Sequence, residues 1–100
     1  MNRTIIVVKS KPNQYRLIRL HWNYGQPVAD WLVTDYPTHT DALSLIDSGH
    51  RSTIETPHRF VCPEYEVFRT LTAAKRCIEH TTFAYHDGKR WRIELDDATP

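Results

Sequence analysis

The sequence predicts an α+β fold, antiparallel sheet with two short helices, and three observations carry that prediction. Four consecutive β-branched aliphatics, Ile5-Ile6-Val7-Val8, stand near the start. Two threonine-initiated amphipathic segments follow at residues 39–48 and 71–80, and an Asp87-Gly88 step separates two strand-like runs near the end. The chain has 100 residues, enough for one hydrophobic core, so residues 1–100 are expected to form a single compact domain. With 40% apolar and 25% charged residues, the balance is that of a globular protein rather than a disordered or fibrous one.

Residues 3–9 form the first strand. An unbroken aliphatic run leaves no polar face, as in a central strand covered on both sides. Ser10-Lys11-Pro12-Asn13 is a turn. Residues 15–22 form the second strand, where adjacent Leu17 and Ile18 imply a bulge or a two-sided environment. The break at residues 23–27 contains Gly25 and Pro27. Residues 29–36 read as a third strand with Trp31, Val33 and Asp35 on one side, completing an antiparallel meander.

Thr38 and Asp41 then make a capping-box start for a helix with the apolar stripe Ala42, Leu43, Leu45 and Ile46 and a Ser48-Gly49 terminus. Residues 51–56 and 58–62 are short strand candidates interrupted by Pro57, and residues 65–69 a better one. Thr70 caps a second helix with Leu71, Ala74 and Ile78 inward. Residues 83–85 and 91–95 form a hairpin around Asp87-Gly88, and the alternation of Trp91, Ile93 and Leu95 with Arg92 and Glu94 gives it one wet face.

Residues 36–47 and 68–79 echo each other at an offset of 32: Thr38 matches Thr70, Thr40 matches Thr72, Ala42 matches Ala74 and Ile46 matches Ile78. Two strand–helix half-repeats, around residues 29–48 and 64–80, would produce this pattern. So would the shared grammar of any strand-to-helix joint, where threonine caps and a small residue lets the helix approach the sheet. Both readings predict that Ala42, Ile46, Ala74 and Ile78 are buried.

Chemistry is sparse. The glycines, at 25, 49 and 88, form no phosphate-cradling loop. His58, Cys62, Cys77 and His80 resemble a four-ligand zinc set on paper, with Cys77 and His80 sharing a helical face. If extended, the four residue steps from His58 to Cys62 span about 13 Å, too far for one ion. Glu64 and Glu66 share a strand face and with Asp96 or Asp97 could hold a divalent cation, though an exposed strand face explains them as well. Neither cysteine has an activating neighbour in sequence, and no spacing defines an acid–base pair. No catalytic residue, metal or cofactor is assigned, and the chain is read as a non-enzyme without a small-molecule substrate. Two cysteines, no signal-like apolar run and no membrane-length segment predict a cytoplasmic protein with free thiols.

The binding signal lies in the N-terminal hairpin. The first 29 residues carry Arg3, Lys9, Lys11, Arg16 and Arg19 and no acid, with Tyr15, His21, Trp22 and Tyr24 among them. Lys11, Arg16, Arg19, Trp22 and Tyr24 are the predicted contact residues, since a positive field steers an acidic partner and Trp, Tyr and Arg dominate energetic centres of interfaces. The competing account is a solvated surface neutralised by Asp35, Asp41 and Asp47. In texture the chain resembles the small orphan proteins of bacteriophages and other mobile elements, among them anti-CRISPR and anti-restriction inhibitors. That resemblance is compositional and transfers no residue role. It implies a non-enzymatic inhibitor that binds a host protein or complex. The alternative is a nucleic-acid-binding module, tracking phosphates with the same hairpin, although a net charge of +1 is far from a polycation.

Overall fold

In a computed structural model, residues 4–51, 53–54, 65–77 and 79–95 are described. Their order is β1 (Thr4–Lys11), β2 (Gln14–Leu20), α1 (Gln26–Asp35), α2 (His39–Asp47), β3 (Glu66–Phe68), α3 (Leu71–Arg76), β4 (Thr82–His86) and β5 (Trp91–Leu95). The five strands make one sheet in the order β3-β2-β1-β4-β5. The fold is α+β, as the sequence predicts, on a sheet that is mostly antiparallel.

β1 is the central strand, and its aliphatic run divides between the two faces. Ile6 and Val8 join Ile18, Leu20, Val28, Leu32, Ala42 and Ile46 in a core beneath α1 and α2. Ile5 and Val7 join Leu17, Ala74, Phe83 and Tyr85 in a second core beneath α3. Leu17 and Ile18 therefore need no bulge: each feeds a different core. The register irregularity lies instead between Lys9 and Lys11, where the hairpin turns through Asn13 at φ 61°.

Two expectations are corrected. The β1–β4 pairing is parallel, Ile6 opposite Ala84, so the sheet is mixed rather than wholly antiparallel. Residues 29–36 are not a third strand: all but Tyr36 belong to α1. Gly25, at φ 73°, turns the chain into the helix, and Pro27 occupies its first turn, where a missing N–H costs nothing. Val28, Ala29 and Leu32 are buried at helical spacing, whereas Val33, expected to share a strand face with Trp31, is 55% exposed. The meander is thus a two-stranded hairpin followed by helix, and the neighbour of β2 is the short β3.

α2 begins as predicted. The Asp41 backbone N–H donates to Thr38 Oγ1 (3.1 Å) and the Thr38 N–H donates to Asp41 Oδ2 (3.2 Å). Thr70 caps α3 through its hydroxyl alone, accepting from the Ala73 N–H at 3.1 Å. Ala42, Ile46 and Ala74 are fully buried, while Ile78 lies outside the described residues. The echo therefore covers cap and helix only. Its first copy is preceded by a helix rather than a strand, and its two alanines pack on opposite faces of the sheet.

α3 ends at Arg76 with Cys77 as its C-cap, four residues short of the expected His80. Of residues 51–56, Arg51 forms an isolated bridge to Leu20 and residues 53–54 are not strand. The candidate at 58–62 lies outside the described residues. The β4–β5 hairpin is as expected, with His86 opposite Trp91 and Gly88 at φ 102° in its turn.

Candidate functional site

The five predicted contact residues do not form one surface. Side chains two apart along a strand share a face and side chains three apart do not, so Arg16 and Arg19 point to opposite sides of the sheet. Arg16 pairs across the ladder with Val8 and lies on the α1–α2 side. Its Nη1 is 3.5 Å from Asp47 of α2, and its guanidinium sits 4.8 Å from the Tyr65 ring centroid. Arg16 Nε is buried without a hydrogen-bond partner among the described residues.

Arg19 pairs with Ile5 on the α3 side. It donates a bidentate pair of hydrogen bonds to Glu66, from Nε at 2.7 Å and from Nη2 at 2.8 Å. That hydrogen bonding, ahead of opposing desolvation, holds the guanidinium above its ordinary proton affinity. Both cations are therefore engaged within the fold, Arg16 by one of the aspartates named as a countercharge. Replacing Arg19 by glutamate is expected to destabilise the protein by about 1–2 kcal/mol at low salt, because it sets two partly exposed carboxylates against each other. Urea unfolding at pH 7 measures this, and part of the loss should be recovered in Arg19→Glu/Glu66→Arg.

Lys11 is exposed at the hairpin tip. Seven residue steps along β1 separate it from Thr4, about 23 Å of strand, and Trp22 and Tyr24 lie beyond that opposite end. There the chain leaves β2 and crosses to α1 through residues 21–25. The loop is held at four points. The His21 N–H donates to the Arg51 carbonyl (3.1 Å), Thr4 Oγ1 donates to the Asn23 carbonyl (2.8 Å), the Ile54 N–H donates to Asn23 Oδ1 (2.9 Å), and the Gly25 N–H donates to Thr82 Oγ1 (2.7 Å). Arg51 is itself anchored, buried with Nη1 donating to Ser48 Oγ and Nη2 to the Ile54 carbonyl.

From this fixed backbone Trp22 and Tyr24 project with 62% and 52% of their surface exposed. The His21 ring meets Trp22 edge-on at 4.4 Å, which restricts the indole further. The other two tryptophans are occupied inside: Trp31 meets Tyr36 at 5.3 Å, and the Trp91 indole N–H donates to the Tyr36 carbonyl at 2.7 Å.

A groove of about 400 Å³ lies on the α3 side. Phe83 and Tyr85 form its floor, Leu71 and Lys75 one wall, Arg92 and Glu94 the other. No local pattern marks it in the sequence, because the wall residues come from segments far apart. Its charges are mutually satisfied: Lys75 pairs with Glu94, and Arg92 Nε donates to Asp87 at 3.0 Å. It therefore offers little net field to a charged ligand.

The remaining chemical candidates separate likewise. Cys77 and His80 do not share a helical face, since α3 ends before them, and His58 and Cys62 lie outside the described residues. Glu66 is taken up by Arg19, and Glu64, Asp96 and Asp97 lie outside the described residues. Partial desolvation, then the nearby Glu66 carboxylate, pushes the Cys77 thiol up, which makes it a weak nucleophile at neutral pH. Among the described residues, no three histidines, cysteines or carboxylates converge as metal ligands, and no helix is long and apolar enough to cross a membrane.

Compared with known protein families, curated proteins and solved structures, the chain shows no match.

Proposed function

We propose that this protein is a non-enzymatic binding protein whose contact with a partner protein is centred on Trp22 and Tyr24. One observation carries the reading: two large aromatic side chains stand more than half exposed on a loop already held by four hydrogen bonds, three of them to its backbone. A pre-ordered loop loses little conformational freedom on binding, so more of the burial of each ring appears as affinity. Tryptophan and tyrosine are the residues most often found at energetic centres, seated in apolar recesses of the partner.

The cations contribute less than their number implies. Arg16 and Arg19 face opposite sides and are paired within the fold, and Lys11 is at the far end. The partner is therefore a protein surface with an apolar recess able to admit an indole, with acidic character around it as a secondary feature. Occlusion of a host machine, as in an inhibitor from a mobile element, is the form of action this contact would take.

Affinity capture from the native host, with protein and nucleic acid both identified, tests the reading. The expected result is a discrete protein that survives nuclease treatment and ~0.5 M salt and is absent when Trp22→Ala is the bait. Recovery of nucleic acid that elutes steeply between low and physiological salt would favour the phosphate-tracking alternative.

A further inference from the structure

We propose that His86, stacked on His39, is a proton-operated latch that fastens the β4–β5 turn to the linker between α1 and α2. His86 ends β4 with none of its surface exposed. Its two ring nitrogens have different partners. Nδ1 accepts the Gly88 N–H at 3.1 Å, and Nε2 faces the Pro37 carbonyl at 3.4 Å. A nitrogen that accepts an N–H carries no proton, so the closed latch requires the neutral Nε2–H tautomer. Protonation at Nδ1 would set two donors against each other and break the Gly88 bond.

The neighbours make this a defined two-sided contact. His39, the first residue of α2, stacks on His86 with centroids 5.7 Å apart and planes 22° from parallel, its Nε2 2.7 Å from the Lys9 carbonyl. Trp91 of β5 meets the His86 ring edge-on at 5.0 Å and is tied through its indole N–H to the Tyr36 carbonyl. Val8 of β1 lies opposite in the ladder. The charged or titratable groups facing His86 among the described residues are therefore His39 from α2 and Asp87 from the turn. Tyr36 and Lys9 act through their carbonyls.

Burial, opposed by the Pro37 carbonyl and reinforced by His39, holds the His86 ring below the ordinary histidine range. Asp87 does not share the transition. The Lys89 and Arg90 N–H groups and Arg92 Nε donate to its carboxylate and hold it well below the usual carboxylate range, so it stays ionised throughout the window.

The sign follows. Above an ordinary histidine value of about 6.5, the closed and open states are both neutral and the latch is at full strength. As pH falls through that value, the open state takes up a proton before the closed state does. The latch then weakens by up to about tenfold per pH unit until the buried ring itself is protonated. The latch is at the end of β4 remote from Thr82, which holds the Trp22–Tyr24 loop, so opening it leaves that loop in place.

Amide exchange between pH 8 and 5, expressed as protection relative to intrinsic rates, tests the latch. Protection of Asp87 and Gly88 should be constant above pH 7 and fall by about tenfold or more between pH 6.5 and 5. In His86→Asn, whose Oδ1 can accept the same amide and does not titrate, protection should be independent of pH. Constant protection in the wild type, or the same fall in His86→Asn, overturns the proposal. If His86→Asn does not fold, the ring nitrogen resonances of wild-type His86 at pH 7 decide. The Nε2–H pattern supports the latch; an imidazolium or Nδ1–H pattern overturns it.

Discussion

Replacing Leu32 by aspartate is expected to leave no cooperatively folded protein at 25 °C, whereas the same change at the adjacent Val33 should alter stability by less than about 0.5 kcal/mol. Leu32 has no exposed surface and packs among Ile6, Ile18 and Ile46, where a carboxylate would find no partner. Losing the leucine alone costs about 2–5 kcal/mol, and burying an uncompensated charge adds several more. Together these are comparable to the ~5–15 kcal/mol that holds a domain of this size. Val33 sits one residue on and mostly in water. The contrast is specific to a helix over residues 26–35. On a strand with Trp31, Val33 and Asp35 inward, Val33 would be the sensitive position and Leu32 the tolerant one. Circular dichroism and urea unfolding of the two variants separate these geometries.

The second large effect concerns binding. Trp22→Ala and Tyr24→Ala should each weaken the partner complex by about 2 kcal/mol or more, roughly thirtyfold in Kd, and the double variant by at least about a hundredfold. The melting temperature should stay within a few degrees of wild type, because both rings are mostly outside the core and the loop's four fixing hydrogen bonds come from backbone, Thr4, Asn23 and Thr82. Arg16→Ala and Arg19→Ala should show the reverse pattern: reduced stability from the lost Asp47 and Glu66 pairs, with a change in Kd of less than about tenfold. Calorimetric titration of the five variants, with thermal unfolding of each, distinguishes the two classes.

What the sequence made legible depended on how local the cause was. The central position of β1 followed from its lack of a polar face, the start of α2 from Thr38 and Asp41, and the β4–β5 hairpin from Asp87-Gly88. Each signal acts within a few residues. α1 was misread although its marks were present: Pro27 just after Gly25, then Val28, Ala29 and Leu32 at helical spacing. The β-branched and aromatic residues Trp31, Val33 and Thr34 favour strand by propensity, and packing of Leu32 into the core outweighs them. The parallel β1–β4 pairing joins residues almost eighty apart and leaves no local trace.

The candidate site divides in the same way. The break at Gly25 and Pro27 implies that at least one of Trp22 and Tyr24 lies near the surface; that both do is set by the fold. The separation of Arg16 from Arg19 was available from strand parity, since an odd offset always changes face. Their partners Asp47 and Glu66 are supplied by the fold and not by any neighbouring segment. The sequence contains six histidines. That two of them stack depends on the start of α2 meeting the end of β4, an arrangement set by the whole sheet.

The most direct test of the aromatic contact is fluorine NMR of protein labelled with 5-fluorotryptophan. Its three tryptophans give three resonances, assignable by single replacement. On saturation with the captured partner, the Trp22 resonance should shift and lose its sensitivity to solvent, while those of the half-buried Trp31 and Trp91 stay in place. A saturated complex in which the Trp22 resonance is unmoved and still solvent-exposed would contradict the account and place the contact on another face of the sheet.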